Sequence, residues 1–347
     1  MILTNVCQPN AWIILTNSCQ SNAWIILKGR VPDVTTALIT HPACLEHDTG
    51  PYHPETADRL RAVLAALEAP EFSDLLREAA PLATVDQLSR VHPRAYVEAI
   101  LSVHPDLGEP VQLDSDTVMS NGSAEAAARA AGAACMAVDA VMEGWARAAF
   151  AAVRPPGHHA EPNRPMGFCL FNNVAVAALH ARERWGIQRV AVVDFDVHHG
   201  NGTQAMFAAD PDLFYASSHQ SPCYPGTGEA SEHGVADNIV NAPLRPRDGS
   251  AAFRAAWSNI ILPRLDQFGP GLLIISAGFD AHVADPLAQL RLETTDFAWI
   301  TEQLLAVADK HCGGRIVSVL EGGYDLTALA ASAAVHVRGL MRAAPID

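Results

Sequence analysis

Several features that would mark a specialised context are scarce. The seven cysteines (Cys7, Cys19, Cys44, Cys135, Cys169, Cys223, Cys312) are scattered, with no C-x-x-C pair. That excludes a disulfide framework and a cysteine-ligated zinc site, and it fits a reducing compartment, here read as the cytoplasm with the thiols as small buried residues. Basic residues are few: 23 Lys and Arg against 38 Asp and Glu give a formal charge of -15, with no basic cluster. Such a field repels nucleic acid but tolerates a cationic or lysine-bearing substrate. Apolar runs near the N-terminus are short and follow no basic stretch, so neither a membrane span nor a signal peptide is expected. Low complexity is rare and no linker stands out after residue 35, so one large α/β domain or two smaller ones would account for the length. A homo-oligomer is left open.

The first 27 residues carry an imperfect tandem repeat, residues 3–15 and 15–27, each closing on Ala-Trp-Ile-Ile-Leu. Two copies are too few for a solenoid. We read residues 1–35 as an appendage or a misplaced start, and 36–347 as the catalytic domain.

From Thr36 onward the pattern is regular. Residues 36–40 read as a strand, followed by a loop whose His41, His47 and His53 are expected at the surface. Helical spacing predicts helices at 55–69, 96–103 and, Ala-rich and ended by Gly144, 123–143. Beyond 149 one unit recurs, an apolar strand with a polar or glycine-rich end and then a helix. The strands are 149–153, 190–195, 213–217, 272–276 and 316–320; helices are predicted at 172–185, 202–209, 250–268, 295–310 and 327–342. This alternation argues for a parallel sheet covered by helices on both faces, with all five polar ends along one edge.

Those ends hold the chemistry. In Asp194-Phe-Asp196-Val-His198-His-Gly-Asn201-Gly-Thr203, alternation along an extended chain puts Asp194, Asp196 and His198 on one face, where carboxylate and imidazole suit a metal such as Zn²⁺. A third ligand from another strand would leave a position open, and Asp280 is the best candidate. An open metal site favours hydrolysis. His158 and His159, after Pro-Pro-Gly, offer two imidazoles for proton transfer. Asp194 and Asn201 can each orient one of these rings. Tyr324, after Gly-Gly, can aim a phenol at a developing oxyanion. A capped strand end with surface histidines would be the bland alternative, but it has too many residues to explain at once.

Arg154-Pro-Pro-Gly-His-His159, Gly167-Phe-Cys-Leu-Phe-Asn-Asn173, the Asp194 to Gln204 motif, Tyr224-Pro-Gly-Thr-Gly228, Ser276-Ala-Gly-Phe-Asp280 and Glu321-Gly-Gly-Tyr324 together resemble the zinc-dependent histone deacetylase and acetylpolyamine amidohydrolase superfamily. Over about residues 36–343 the chain is similar to its class II-like bacterial amidohydrolases. The resemblance implies the arginase-deacetylase fold with a central eight-stranded parallel sheet, and hydrolysis of N-acyl amides of the acetyl-lysine type. It implies one Zn²⁺ on Asp196, His198 and Asp280, an acid-base pair in His158 and His159, and Tyr324 on the carbonyl. It further implies Phe168 and Tyr224 as channel walls, with Gly167, Gly322, Leu287 and Asp114 also binding substrate. A K⁺ or Na⁺ ion is implied behind the zinc, held by Asp194, main-chain oxygens of Asp196 and His198, and Ser217. Phe207, Asp210, Leu213 and Asn238 match a second alkali site.

Departures bear on the substrate. Asn201 stands where class I members have Asp. Tyr324 is retained, so activity on simple acetyl amides is implied. Leu287 replaces the gatekeeper Glu of the polyamine-preferring relative. Tyr52 replaces Gly in the Gly-His-Pro-Glu loop, and its bulk is expected to narrow the rim. An arginase-like binuclear manganese site would need carboxylates where Gly200 and His282 stand. A non-catalytic acyl-lysine reader would be expected to lack the Tyr or a histidine. A small-molecule amidase or esterase, or an acetylpolyamine deacetylase, would use the same site with a different rim.

Overall fold

A computed structural model describes residues 36–342 of the chain. The tandem repeat and the expected appendage, 1–35, lie outside the described residues. In chain order the strands are β1 (Thr36–Thr40), β2 (Leu76–Ala79), β3 (Val111–Gln112), β4 (Val118–Met119), β5 (Ala148–Ala151), β6 (Val190–Asp194), β7 (Leu213–Gln220), β8 (Ile239–Leu244), β9 (Leu272–Ala277) and β10 (Ile316–Leu320). Strands β3 and β4 form a short antiparallel ribbon. The other eight make one sheet in the order β2-β1-β5-β10-β9-β6-β7-β8, and every neighbouring pair is parallel. The eight-stranded parallel sheet anticipated from the sequence is therefore present.

Strands covered on both faces read as continuous apolar runs, and β6, β9 and β10 are buried at every position. Helices form two groups over the sheet. Ser123–Glu143 packs against Asn173–Trp185, whereas Leu326–Leu340 packs against both Ala57–Ala66 and Thr294–His311. The helix expected over 250–268 is continuous but widens to a π turn at Trp257–Ile261, where the Trp257 indole donates to Ser218 Oγ at 2.9 Å.

Strands β2 and β8 were not anticipated, and both lie at the edges of the sheet. An edge strand needs neither an unbroken apolar run nor a donor at every residue. Strand β2 reads Leu-Arg-Glu-Ala and is largely exposed, and β8 contains Pro243, exposed within an otherwise buried strand. Their sequences lack the pattern that identifies central strands.

The loop histidines also differ from expectation. His47 is 1% exposed, its Nδ1 hydrogen-bonded to Ser123 Oγ at 2.7 Å, because the 41–56 loop folds over the start of the long helix rather than into solvent. Far from any loop, His336 is wholly buried among Phe150, Phe195 and Phe279. Its two ring nitrogens reach Thr301 Oγ1 at 2.6 Å and Ser318 Oγ at 2.8 Å.

Burial pushes the His336 ring down to about 3 from the ordinary 6.5. A group whose folded pKa is depressed binds more protons when unfolded, so its contribution is fully present above pH 6.5 and is lost progressively as pH falls toward 3. We expect the unfolding free energy to drop between pH 6.5 and 4. At pH 5.5 the contribution of His336 to this drop is about 1.4 kcal/mol. Chemical denaturation of wild type and His336→Gln at pH 7.5 and 5.5 checks this: the variant, less stable at pH 7.5, should lose less on acidification, and equal losses would remove the ring from the account.

Candidate active site

Four neighbouring strands in the middle of the sheet, β5, β10, β9 and β6, end along one edge. Their C-terminal loops carry, respectively, His158 and His159, Tyr324, Asp280, and the run from Asp194 to His198. Strands spaced about 4.8 Å apart bring four loops within the reach of one small ligand, which is the physical reason such edges host sites.

Strand β6 stops at Asp194, so Asp196 and His198 lie beyond it. The chain bends over residues 196–198 rather than running on extended, and aspartate side chains hold the bends. Asp194 Oδ1 accepts from the Asp196 N–H at 3.1 Å and Asp196 Oδ1 from the His198 N–H at 2.8 Å, the two-residue reach that Asp favours. From β9, Asp280 is aimed into the same point, its Oδ1 accepting from the Val197 N–H at 2.8 Å. Ligand atoms of Asp196, His198 and Asp280 all lie within 4.8 Å of one another, and all three residues are buried. His198 Nδ1 sits 3.0 Å from Asp196 Oδ1 and 3.2 Å from Asp280 Oδ2.

The electrostatics of this triad call for a cation. Asp280 Oδ2 is buried without a hydrogen-bond partner. Burial and the Asp196 charge push the Asp280 carboxyl up. Burial would raise Asp196 as well, but the charges of His158 and His198 and hydrogen bonds from His198 hold it well below the usual range. The His198 ring, which burial alone would push down, is driven well up by the Asp196 and Asp280 carboxylates beside it, so a proton there supplies the positive charge the carboxylates need. Two carboxylates, one imidazole nitrogen and an orphaned buried oxygen are the donor set of an oxygen- and nitrogen-ligated divalent metal. Gly322 belongs to this arrangement: its N–H donates to Asp196 Oδ2 at 2.8 Å, and a Cβ there would collide with Asp280 Oδ2 and Asp196 Oδ2.

The two histidines of the β5 loop are oriented differently. His158 Nδ1 meets Asp194 Oδ2 at 2.9 Å. Burial disfavours its charge, but Asp194 and then Asp196 overcome this and raise the ring to about 10. His159 Nδ1 meets Asn201 Oδ1 at 2.9 Å. Burial first, then the positive charges of His158 and His198, push this ring well below its ordinary range. The Asn201 amide donates its Nδ2 to Glu161 Oε1 at 2.9 Å, so its oxygen faces His159. That places the His159 hydrogen on Nδ1 and leaves Nε2 as the basic atom.

In front of these groups lies a cavity of about 300 Å³, lined by His158, His159, Gly167, Phe168, His198, Cys223, Tyr224, Leu287, Gly322, Tyr324, Asp116 and Pro156. Gly167 and Phe168 both adopt left-handed backbone, φ 58 and 69. For Phe168 that conformation costs roughly 1–2 kcal/mol. Hydrogen bonds from the Gly167 N–H to Asp116 Oδ1 and from the Phe168 N–H to Thr117 Oγ1, both 3.1 Å, hold the turn. The Phe168 ring stands edge-on to Tyr324 and to His53, with centroids 6.0 and 4.6 Å away. Tyr224 stands edge-on to His159 at 5.1 Å. The Tyr324 N–H donates to Asp285 Oδ2 at 2.7 Å, and the Arg59 guanidinium lies over its ring at 4.8 Å.

The other expected residues fall in several places. Asp114 does not line the cavity; it pairs with Arg164 at 3.0 Å, and Asp116 takes the wall because the ribbon turn between β3 and β4 faces it inward. Tyr52 is 98% exposed, so its ring packs on nothing and narrows no rim. Asn238 Nδ2 donates to the main-chain oxygens of Phe207, Asp210 and Leu213 at 2.9, 3.0 and 2.8 Å. The three main-chain oxygens expected at a second alkali site thus converge on the Asn238 amide. Cys44, Cys135, Cys169 and Cys312 are buried, but Cys223 is half-buried in the cavity wall. For the first alkali site, Asp194 and Ser217 are paired across β6 and β7, and Ser217 Oγ meets His219 Nδ1 at 2.9 Å. Sequence reasoning also missed Asp285, Glu55 and Arg59, whose polar side chains carry no periodic signal.

The fold and the strand-end constellation define an α/β protein with a carboxylate and histidine triad at one edge of its parallel sheet. A histone deacetylase domain profile matches residues 53–340. The chain is 38% identical over 308 residues to the chloroplastic histone deacetylase 14 of Arabidopsis thaliana, covering 83% of this chain and 73% of that protein. It is 38% identical over 312 residues to the histone deacetylase-like amidohydrolase of Pseudomonas aeruginosa, covering 84% and 82%. Among solved structures, the HDA15 HD domain superposes with a TM-score of 0.84 at 36% identity, covering 90% of each chain. The chain belongs to the histone deacetylase family, and its sheet is that of the arginase-deacetylase fold.

Replacing Gly322 with Ala should weaken metal retention at least tenfold, since the new methyl displaces both carboxylates while the backbone conformation suits any residue. Metal content after dialysis against a graded chelator series, read beside the far-UV spectrum, checks this; wild-type retention in a folded variant would refute it.

Proposed function

We propose that the protein is a zinc-dependent deacetylase that hydrolyses N-acyl amides of the acetyl-lysine type. The observation that carries this reading is the orphaned Asp280 Oδ2, pointing with Asp196 and His198 at one place beneath a cavity that also exposes both histidines and Tyr324. Zinc bound by Asp196, His198 and Asp280 would polarise the acyl carbonyl and lower the pKa of a water molecule.

The remaining steps belong to the chain's own groups. Phe168 and Tyr224 hold the acyl-bearing chain between aromatic walls and keep bulk water out. His159, neutral with its hydrogen on Asn201, takes a proton from water at Nε2 as the oxygen adds to the acyl carbon. The Tyr324 hydroxyl donates to the carbonyl oxygen as that atom gains charge. Burial raises this phenol well above its ordinary pKa, offset in part by Arg59, so it stays protonated and able to donate. The proton taken by His159 then passes to the leaving nitrogen as the C–N bond breaks, giving free amine and a carboxylic acid, whose remaining proton is lost to solvent. His158, held charged by Asp194, offsets the negative charge that develops beside it.

An alkali ion beside Asp194 and Ser217 completes the reading. The free thiols of the described residues support a reducing, cytoplasmic setting. No helix among the described residues is long and apolar enough to cross a membrane. A second reading, a small-molecule amidase or esterase, is favoured by the apolar rim, where Leu287 and Tyr224 stand 40% and 38% exposed; an acetylpolyamine deacetylase would use the same site, but Leu287 in place of a carboxylate speaks against it.

Hydrolysis of a matched panel separates the readings: acetyl-lysine peptide, acetylated putrescine and acetanilide, each with and without a hydroxamate. Turnover led by the peptide supports the first, preference for a small amide supports the second, and no turnover refutes both. Tyr324→Phe should keep its zinc and lose about 10² to 10³ in kcat, whereas Asp280→Ala should lose the zinc itself. Equal metal content and activity in the two variants would overturn these roles.

A further inference from the structure

Behind the cavity, and outside its lining, lies a buried cluster of charge. Glu55, Arg59 and Arg154 are each 0% exposed. Glu55 Oε1 accepts from Arg154 Nε at 2.5 Å and from Arg59 Nη1 at 2.9 Å, and its Oε2 accepts from Arg154 Nη2 at 2.7 Å. One carboxylate thus serves two guanidinium groups. Their other donors go to main-chain oxygens. Arg154 reaches Cys44 O and His47 O at 3.0 and 3.1 Å, and Arg59 reaches Gly323 O at 2.6 Å and Glu321 O at 2.5 Å.

These attachments join the two loops that carry the chemistry to Glu55 and its 41–56 loop. Arg154 begins the Pro-Pro-Gly approach to His158 and His159. Arg59 grips the Glu-Gly-Gly-Tyr turn from below and lies under the Tyr324 ring. A third contact joins the same loops: the Glu321 carboxylate accepts from the Gly157 and His158 N–H groups at 2.7 and 3.2 Å. The result is a closed path from Glu55 through Arg154 and the histidine loop to Glu321, and back through Arg59.

We propose that Glu55 is a positioning residue that locks the histidine loop to the Tyr324 loop through Arg154 and Arg59. It fixes the spacing between the proton-transfer pair and the phenol without touching substrate. A neutral side chain in its place leaves two buried guanidinium groups without a counter-charge, so each loses its reason to hold its loop. Arg154 and Arg59 hold the Glu55 carboxyl down at about 2 against the effect of burial, so the lock is charged throughout the neutral range. For its kinetic arm the inference rests on the deacetylase reading; its exchange arm does not.

The test uses Glu55→Gln and Arg59→Met, each alone and combined with Tyr324→Phe, in full-length, zinc-loaded protein. Hydrogen exchange by mass spectrometry follows residues 154–160 and 320–326, with β7 as internal reference. In Glu55→Gln, exchange should quicken at least about tenfold in both loops while β7 is unchanged, and in Arg59→Met it should quicken in 320–326 alone. In kinetics, Arg59→Met should lower kcat at least about tenfold with KM within about twofold, and this factor should shrink below about threefold in the Tyr324→Phe background. Quickening in one loop only in Glu55→Gln, quickening that includes β7, or the same Arg59→Met factor in both backgrounds would overturn the proposal. If Glu55→Gln does not fold, Arg59→Lys carries the exchange arm: it keeps a charge for Glu55 but loses the fork to two carbonyls, and unchanged exchange in 320–326 would then overturn the proposal. A wild type that hydrolyses nothing refutes the deacetylase reading and leaves the exchange result to decide the lock.

Discussion

Two carboxylates buried against each other set the terms for the rest of this structure. Asp196 and Asp280 come from different strands, and their oxygens and His198 Nδ1 converge where water cannot solvate them. In such surroundings like charges cannot both ionise without a positive partner. The neighbourhood is organised to supply or accommodate one: a proton on His198, an imidazolium at His158, or a metal ion that would bind all three ligands. Main-chain N–H groups of Val197 and Gly322 occupy the oxygens turned away from the convergence point. Asp280 Oδ2, turned toward it, has no hydrogen bond at all.

The same electrostatics separate the two histidines, which differ mainly in the group behind each ring. A carboxylate stands behind His158 and an amide behind His159, so the first ring holds a charge and the second does not. Because Glu161 fixes the Asn201 amide, the neutral ring has only one tautomer that satisfies its partner, and its free nitrogen is determined before any substrate arrives. The exchange of Asp for Asn at position 201, visible in the sequence as a departure from class I members, thus has a physical meaning. It removes a charge that would otherwise raise the pKa of the second ring and make it a poorer proton acceptor near neutrality.

Much of this was legible in the sequence because central strands announce themselves. Strands β6, β9 and β10 are mostly apolar and buried throughout, β6 ending in Asp194 and the other two leading into Gly278 and Glu321, and their shared direction forces those ends onto one edge. The convergence of Asp196, His198 and Asp280 followed from one motif and one further strand end. What was not legible depended on partners distant in the chain. His47 belongs to a loop of polar residues, yet Ser123, 76 residues away, gives it a buried partner. An i,i+4 pair with Glu55 reads as an exposed helix-face ion pair, and nothing local marks Arg59, beside Leu60 in an amphipathic helix, as a buried cation; its main-chain partners lie some 260 residues on. Asp114 and Asp116 occupy the same face by alternation, and only the turn of the β3–β4 ribbon decides which one reaches the cavity.

These misses share a cause that also bears on how the site keeps its shape. The side chains that meet substrate are read from local motifs, whereas those that hold the motifs at fixed spacing are charged residues buried by contacts between loops. A strand end fixes where a loop begins but not where the third or fourth residue beyond it sits. His158, His159 and Tyr324 all lie several residues past the ends of β5 and β10, so the sheet alone cannot set the distance between the proton-transfer pair and the phenol. Some set of cross-loop bonds must do so, and the bonds made by Glu321, Glu55 and the two arginines are the ones present behind the cavity. Rim residues such as Leu287 and Tyr224 bear no such load and are partly exposed. Substitution at the rim can therefore retune substrate choice with little effect on this spacing, whereas the charged cluster behind the cavity cannot change one member without leaving another buried and unpaired.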